Sequence, residues 1–175
     1  MTMALIESKT LATATASIEF TSIPQDGTDL VLFVSARTNA TDASDGAAVR
    51  VNPNGSTTSK TERVLRGTGS STSSSTDTFF NLRANPSNFT ANTFGNSSVY
   101  IPNYTGNSFK TMSADGVNEN NATSAQQEIR AWLWSNTSAI TSLTIAAIGS
   151  NQMVAGTTIS LYKITKGSDG IVTTS

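Results

Sequence analysis

"DLVLFVSART" (29–38) decides the fold class, because its apolar residues recur at every second position. In an extended chain Leu30, Leu32, Val34 and Ala36 fall on one face, and Val31 and Phe33 fall on the other. A strand that is apolar on both faces predicts cover from both sides. The same period of two predicts strands at 4–11, 17–20, 47–51, 63–67, 77–83, 98–104, 108–116, 128–135, 142–148 and 158–164. Helical i, i+3, i+4 spacing is not sustained in any of the readable segments.

Many short strands separated by turns pack most simply as two antiparallel sheets face to face. We therefore expect an all-β, single-domain β-sandwich of jelly-roll type over residues 1–165, with one or two strands left to extend the edges. Residues 1–9 are expected to act as an arm or edge strand reaching a neighbour, and 166–175 as a flexible tail. "IPQDG" (23–27) reads as a turn, with Pro24 ending one strand and Gly27 supplying backbone freedom. "GTGSSTSSSTD" (67–77) reads as a flexible exposed loop.

Composition narrows the chemistry. Ser, Thr and Asn supply more than a third of the 175 residues, while charged residues are 13% and the formal net charge is −1. The eleven Lys and Arg are scattered singly, so neither a nucleic-acid groove nor a polybasic membrane contact is expected. No apolar run approaches the roughly 20 residues of a membrane-spanning helix, and Glu7 and Lys9 interrupt what would be the core of a secretory signal. Cysteine and histidine are both absent. That removes thiolate and imidazole as nucleophile, general base and metal ligand, leaving carboxylates as the remaining route to acid–base catalysis.

The nearest groupings of acids are Asp42 with Asp45 in "TDASDG", and Asp115 with Glu119 in "ADGVNEN". Both sit in Asn- and Gly-rich stretches where acids commonly cap turns, and "DASDG" lacks the ligand spacing and terminal Glu of a calcium loop. The expectation is no catalytic residue, no cofactor and no metal. The N-x-S/T sequons carry no functional weight in a chain this rich in Asn, Ser and Thr.

The aromatic residues say more. In "EIRAWLWS" (128–135) Ile129, Ala131 and Leu133 share one face, and Glu128, Arg130, Trp132 and Trp134 share the other. If the aliphatic set faces the core, both tryptophans stand outside. By the same parity "VYIPNY" (99–104) places Val99 and Ile101 inward, with Tyr100, Pro102 and Tyr104 outward. The residues alone leave two readings open: an outward aromatic patch that contacts a partner, or strands covered on both faces. Tyr100, Tyr104, Trp132 and Trp134 are the candidate assembly-interface residues on the first of these.

At these words the chain resembles a group of small β-rich virion proteins of tailed bacteriophages, especially those of marine and cyanobacterial hosts. The resemblance is carried by "ESKTL" (7–11), "IPQDGTDLVL" (23–32), "NTFGNSSVYIPNYTGN" (92–107) and "LWSNTSAITSLTI" (133–145), and it thins over 39–92 and the last ten residues. It implies a non-enzymatic structural protein of the particle. The expected member is a head decoration or cement protein, made in the host cytoplasm and bound as a homotrimer to the major capsid protein lattice at the capsid surface. The alternative it leaves open is a tail or tail-fibre component with a glycan-binding jelly-roll module.

Overall fold

The computed structural model describes residues 2–41, 48–121 and 124–165. They form β1 (Thr2–Thr10), β2 (Ser17–Phe20), β3 (Asp29–Ala36), β4 (Ala48–Pro53), β5 (Lys60–Gly67), β6 (Thr72–Asp77), β7 (Asn81–Arg83), β8 (Gly95–Ile101), β9 (Lys110–Glu119), β10 (Ala125–Trp134), β11 (Leu143–Ala147) and β12 (Thr158–Thr165). Every strand pairing is antiparallel. An eight-stranded sheet in the order β1-β12-β3-β8-β9-β10-β5-β6 packs on a four-stranded sheet in the order β2-β11-β4-β7. The chain is therefore an all-β, two-sheet sandwich.

After β1 the chain crosses back and forth between the layers. β2, β4, β7 and β11 build the small sheet, while β3, the β5–β6 hairpin and the β8–β9–β10 meander alternate with them in the large one. β1-β12-β3-β8 facing β2-β11-β4-β7 is the eight-stranded jelly-roll arrangement. β9, β10, β5 and β6 then widen the large sheet beyond β8. The segment 1–9, expected as an arm or edge strand reaching a neighbour, contributes to β1 (Thr2–Thr10), an edge strand on the chain's own sheet; the tail at 166–175 lies outside the described residues.

The core lies between the sheets. Leu30, Leu32 and Val34 of β3, Val99 and Ile101 of β8, and Ile159 and Leu161 of β12 meet Phe20, Val49, Val51, Leu82, Leu143 and Ile145 from the opposite layer. Polar groups fasten the loops. The Arg37 guanidinium donates to the carbonyls of Ser87, Phe89, Thr90 and Thr93 at 2.8–3.1 Å, knitting a loop that has no ladder of its own.

Three expectations need correction. β3 is covered on one face only, and Phe33 on its other face is 42% exposed. The stretch 77–83 is not one strand: β6 ends at Asp77 in the large sheet and β7 begins at Asn81 in the small one. The serine-rich segment is not all loop, since Thr68–Ser71 closes a turn, with Thr68 N donating to Ser71 O at 3.0 Å, and Thr72–Asp77 pairs with β5. Small hydroxyl side chains are poor at specifying a strand, but the partner β5 supplies the ladder.

Candidate assembly surface

Three of the four candidate interface residues are interior. Trp132, Trp134 and Tyr104 are each fully buried, and only Tyr100 faces out, at 41% exposed. The outward placement of the other three is corrected, for two different reasons.

For the tryptophans the parity of the strand is as expected but its sense is reversed. Glu128, Arg130, Trp132 and Trp134 all point into the sandwich, while Ile129 is 62% exposed. An indole buries more surface than any aliphatic side chain, and Trp132 stacks on Phe80 with ring centroids 4.7 Å apart and 10° between planes. Alternation then obliges Glu128 and Arg130 to enter with the tryptophans. Such charges are tolerable inside only when each is paired and hydrogen-bonded.

They are. The Glu128 carboxylate receives Arg83 from β7 at 2.8 Å, Arg130 from its own strand and Arg66 from β5. Glu62, on β5 opposite Trp132, accepts from Arg130 at 2.6 Å, from the Trp132 Nε1–H at 2.6 Å and from the Asn81 amide at 3.3 Å. Burial alone would raise the Glu128 carboxyl, but the bonds and charges of Arg83, Arg130 and Arg66 outweigh it and hold it down at about 2. Near neutrality this group accepts hydrogen bonds and has no proton to donate. Its arrangement clamps β5, β7 and β10 across both sheets.

For Tyr104 the strand itself stops. β8 ends at Ile101, and Asn103 adopts a positive φ of 49°, so the alternation that would carry Tyr104 outward is broken by a turn. Its hydroxyl donates to the Pro24 carbonyl and accepts from Gly27 N at 3.3 Å, pinning the 24–27 turn, and burial pushes the phenol up. Tyr100 keeps strand parity; its hydroxyl donates to Asp29 at 3.0 Å while the residue stays exposed on the outer face.

What lies outside is aliphatic as much as aromatic. On the outer face of the large sheet Leu5, Phe33, Tyr100, Val117, Ile129 and Leu65 are all exposed, Leu65 by 64%. The register links them: Ile129 is opposite Leu65 on one side and Asp115 on the other, and Asp115 is opposite Ser98, the partner of Phe33. Phe33 meets Tyr162 edge-on at 5.7 Å. A shallow groove of about 720 Å³ runs over Leu65, Ile129 and Ala131, bordered by Ser74, Thr76 and Ser113. No ring lines this groove; its walls are aliphatic and hydroxyl-bearing, with Arg63 as the outward charge among them.

Of the acids, Asp115 and Glu119 lie on β9 rather than in a loop. Four residues of strand separate them by about 13 Å, beyond the range for paired glycosidase carboxylates. Asp115 accepts from Ser98 Oγ, and Glu119 from Asn121 N at 2.5 Å. Asp42 and Asp45 lie outside the described residues. Among the described residues no three acidic side chains gather as a metal site would require.

Sequence reasoning missed both the buried ion cluster and the outer aliphatic stripe. The signal was present in "KTERVLRG" (60–67), where Glu62 and Arg66 share one parity and Leu65 takes the other, matching "EIRAWLWS" strand for strand. Compared with known protein families, curated proteins and solved structures, the chain matches none.

Proposed function

We propose that the chain is a non-enzymatic structural protein of a tailed-bacteriophage virion, a head decoration or cement protein that binds the assembled capsid lattice. The observation that carries this reading is the outer face of the large sheet. Exposed Leu5, Phe33, Tyr100, Val117, Ile129 and Leu65 sit among serines and threonines, with Asp115, Glu119 and Arg63 as the charges on β9 and β5. A lone exposed apolar residue is ordinary, but two apolar clusters on one sheet face, Leu65 with Ile129 and Phe33 with Tyr100, parted by Asp115 and Ser98, mark a contact surface.

The resemblance in "ESKTL", "YIPNYTGN" and "LWSNTSAITSLTI" points the same way, and with it to a trimer at the capsid surface. Such a protein stabilises a shell by binding the assembled lattice in preference to free subunits, through modest contacts multiplied over many copies. In this reading Tyr100 remains a contact residue and is joined by Phe33, Leu65 and Ile129, while Tyr104, Trp132 and Trp134 hold the scaffold. The tail-fibre alternative draws less support, because three of the four rings that would form a sugar platform are interior.

Cryo-electron microscopy of purified particles tests the proposal. Ordered copies over the head lattice, with the Leu65–Ile129 face or the Phe33–Tyr100 face against a neighbour, are the expected result. A few copies at the tail tip, or none on the head, would overturn it.

A further inference from the structure

β6 closes one end of the large sheet, and its side away from β5 has no strand beside it among the described residues. Exposed sheet edges are normally blunted by charge, proline, a bulge or brevity. The other edges of this sandwich carry such devices. β1 has a bulge between Leu5 and Glu7 and carries Glu7 and Lys9, β2 is four residues long with Glu19 in it, and β7 is a buried strand of three residues. β6 carries none of them before its last residue. It is six residues long, exposed from Thr72 to Thr76, regular in its register with β5, and free of proline.

We propose that β6 is a self-association edge: two copies of the chain pair antiparallel through β6 about a twofold axis at Ser74, joining their large sheets into one. Residues 72–76 read Thr-Ser-Ser-Ser-Thr, the same in both directions. Antiparallel pairing centred on Ser74 therefore sets Thr72 against Thr76 of the second copy, Ser73 against Ser75, and Ser74 against itself. Such hydroxyl pairs are favourable across antiparallel strands, and this sheet already uses them at its other end. Ser8 and Ser160 bond at 2.7 Å, and Thr10 and Thr158 at 2.9 Å, between β1 and β12.

Charge selects the same occupant. A twofold axis brings each residue near its own copy, so a strand that pairs with itself must be neutral around the axis. From Gly67 to Thr76 the chain carries no charge. The small side chains of β6 also leave the Leu65–Ile129 groove open beside the joint, so the two copies would present two aliphatic stripes flanking a floor of hydroxyls. This contact is isologous and therefore distinct from a threefold surface; where the chain is trimeric, it would join neighbouring trimers.

The absence of cysteine makes the test direct. Residues facing one another across an antiparallel pair have Cα atoms about 4.5–5.5 Å apart, within disulfide reach, whereas Thr72 and its own copy would be about 14 Å apart. Purified Ser74→Cys protein under mild oxidation should yield a reduction-sensitive band at twice the 18.3 kDa chain mass, roughly tenfold faster than Thr72→Cys alone. The double variant Thr72→Cys with Thr76→Cys should match Ser74→Cys. Ser74→Lys, which places two like charges on the axis at an exposed position, should leave the protein folded and remove the twofold-linked species in sedimentation velocity, the dimer of a monomeric chain or the joined pair of a trimeric one. Equal rates for Ser74→Cys and Thr72→Cys, or a chain that stays monomeric with Ser74 intact, would overturn the proposal. The readout is made on purified protein, so it stands or falls independently of where the chain sits in a particle.

Discussion

β8 and β10 present the same kind of alternation and resolve it in opposite senses. In β8 the aliphatic residues Val99 and Ile101 go in and Tyr100 goes out; in β10 Ile129 goes out and Glu128, Arg130, Trp132 and Trp134 go in. The difference lies in what each strand can find across the sandwich. β8 offers Asn96, Ser98 and Tyr100 as its alternative face, for which solvent is the easier surrounding. β10 offers two indoles, and the carboxylate and guanidinium that alternate with them find partners in Glu62, Arg66 and Arg83. Alternation fixes which residues share a face, and complementary charges on neighbouring strands decide which face is inside.

The comparison can be broken hardest at Arg130. Arg130→Met leaves Glu62 and Glu128 each short of a buried cationic partner, and unpairing a buried ion cluster costs about 3–5 kcal/mol. Urea unfolding should show the midpoint fall with the slope unchanged. A loss below 1 kcal/mol would mean that the cluster is open to water.

Acid should reach the same cluster without mutation. The Glu128 carboxyl is held at about 2, below the value near 4.3 of an unfolded chain. The unfolded state therefore takes up a proton first as pH falls. The stability contributed by the cluster is complete above about pH 4.5 and drains as pH falls towards 2, on the order of 3 kcal/mol in all. Glu128→Gln should flatten that limb of a stability–pH profile while lowering stability at neutral pH.

A smaller effect is expected at the turn that ends β8. Tyr104→Phe keeps the ring in the core but removes the donor to Pro24 and the acceptor for Gly27, at about 1–3 kcal/mol. The smallest belongs to the neighbour of Arg130. Ile129→Thr, on the outer face, should change monomer stability by about 0.5 kcal/mol or less. Adjacent residues on one strand would then invert the usual order, the aliphatic being dispensable and the charged one indispensable. A large loss at Ile129 in dilute protein would contradict the assigned faces.

The fold was legible wherever one face of a strand was plainly apolar. "DLVLFVSART", "SLTIAAI" and "TISLYKI" announce β3, β11 and β12, and turn chemistry separates them. The strand of serines was not legible, because β6 takes its conformation from β5 rather than from its own side chains. The candidate surface was legible in part. Tyr100 follows strand parity, but Tyr104 lies past the strand end, and a turn at Asn103 cannot be seen in an alternation pattern. Trp132 and Trp134 were misplaced because polar partners for Glu128 and Arg130 come from β5 and β7, more than forty residues away in the chain.

Tryptophan fluorescence tests the assignment of faces most directly, since Trp132 and Trp134 are the chain's two tryptophans. In dilute native protein the emission should be blue-shifted and almost unaffected by iodide, then shift to the red and become quenchable on unfolding in guanidinium. Native emission at the wavelength of free tryptophan, quenched by iodide from the start, would put the indoles outside and reverse the account of β10.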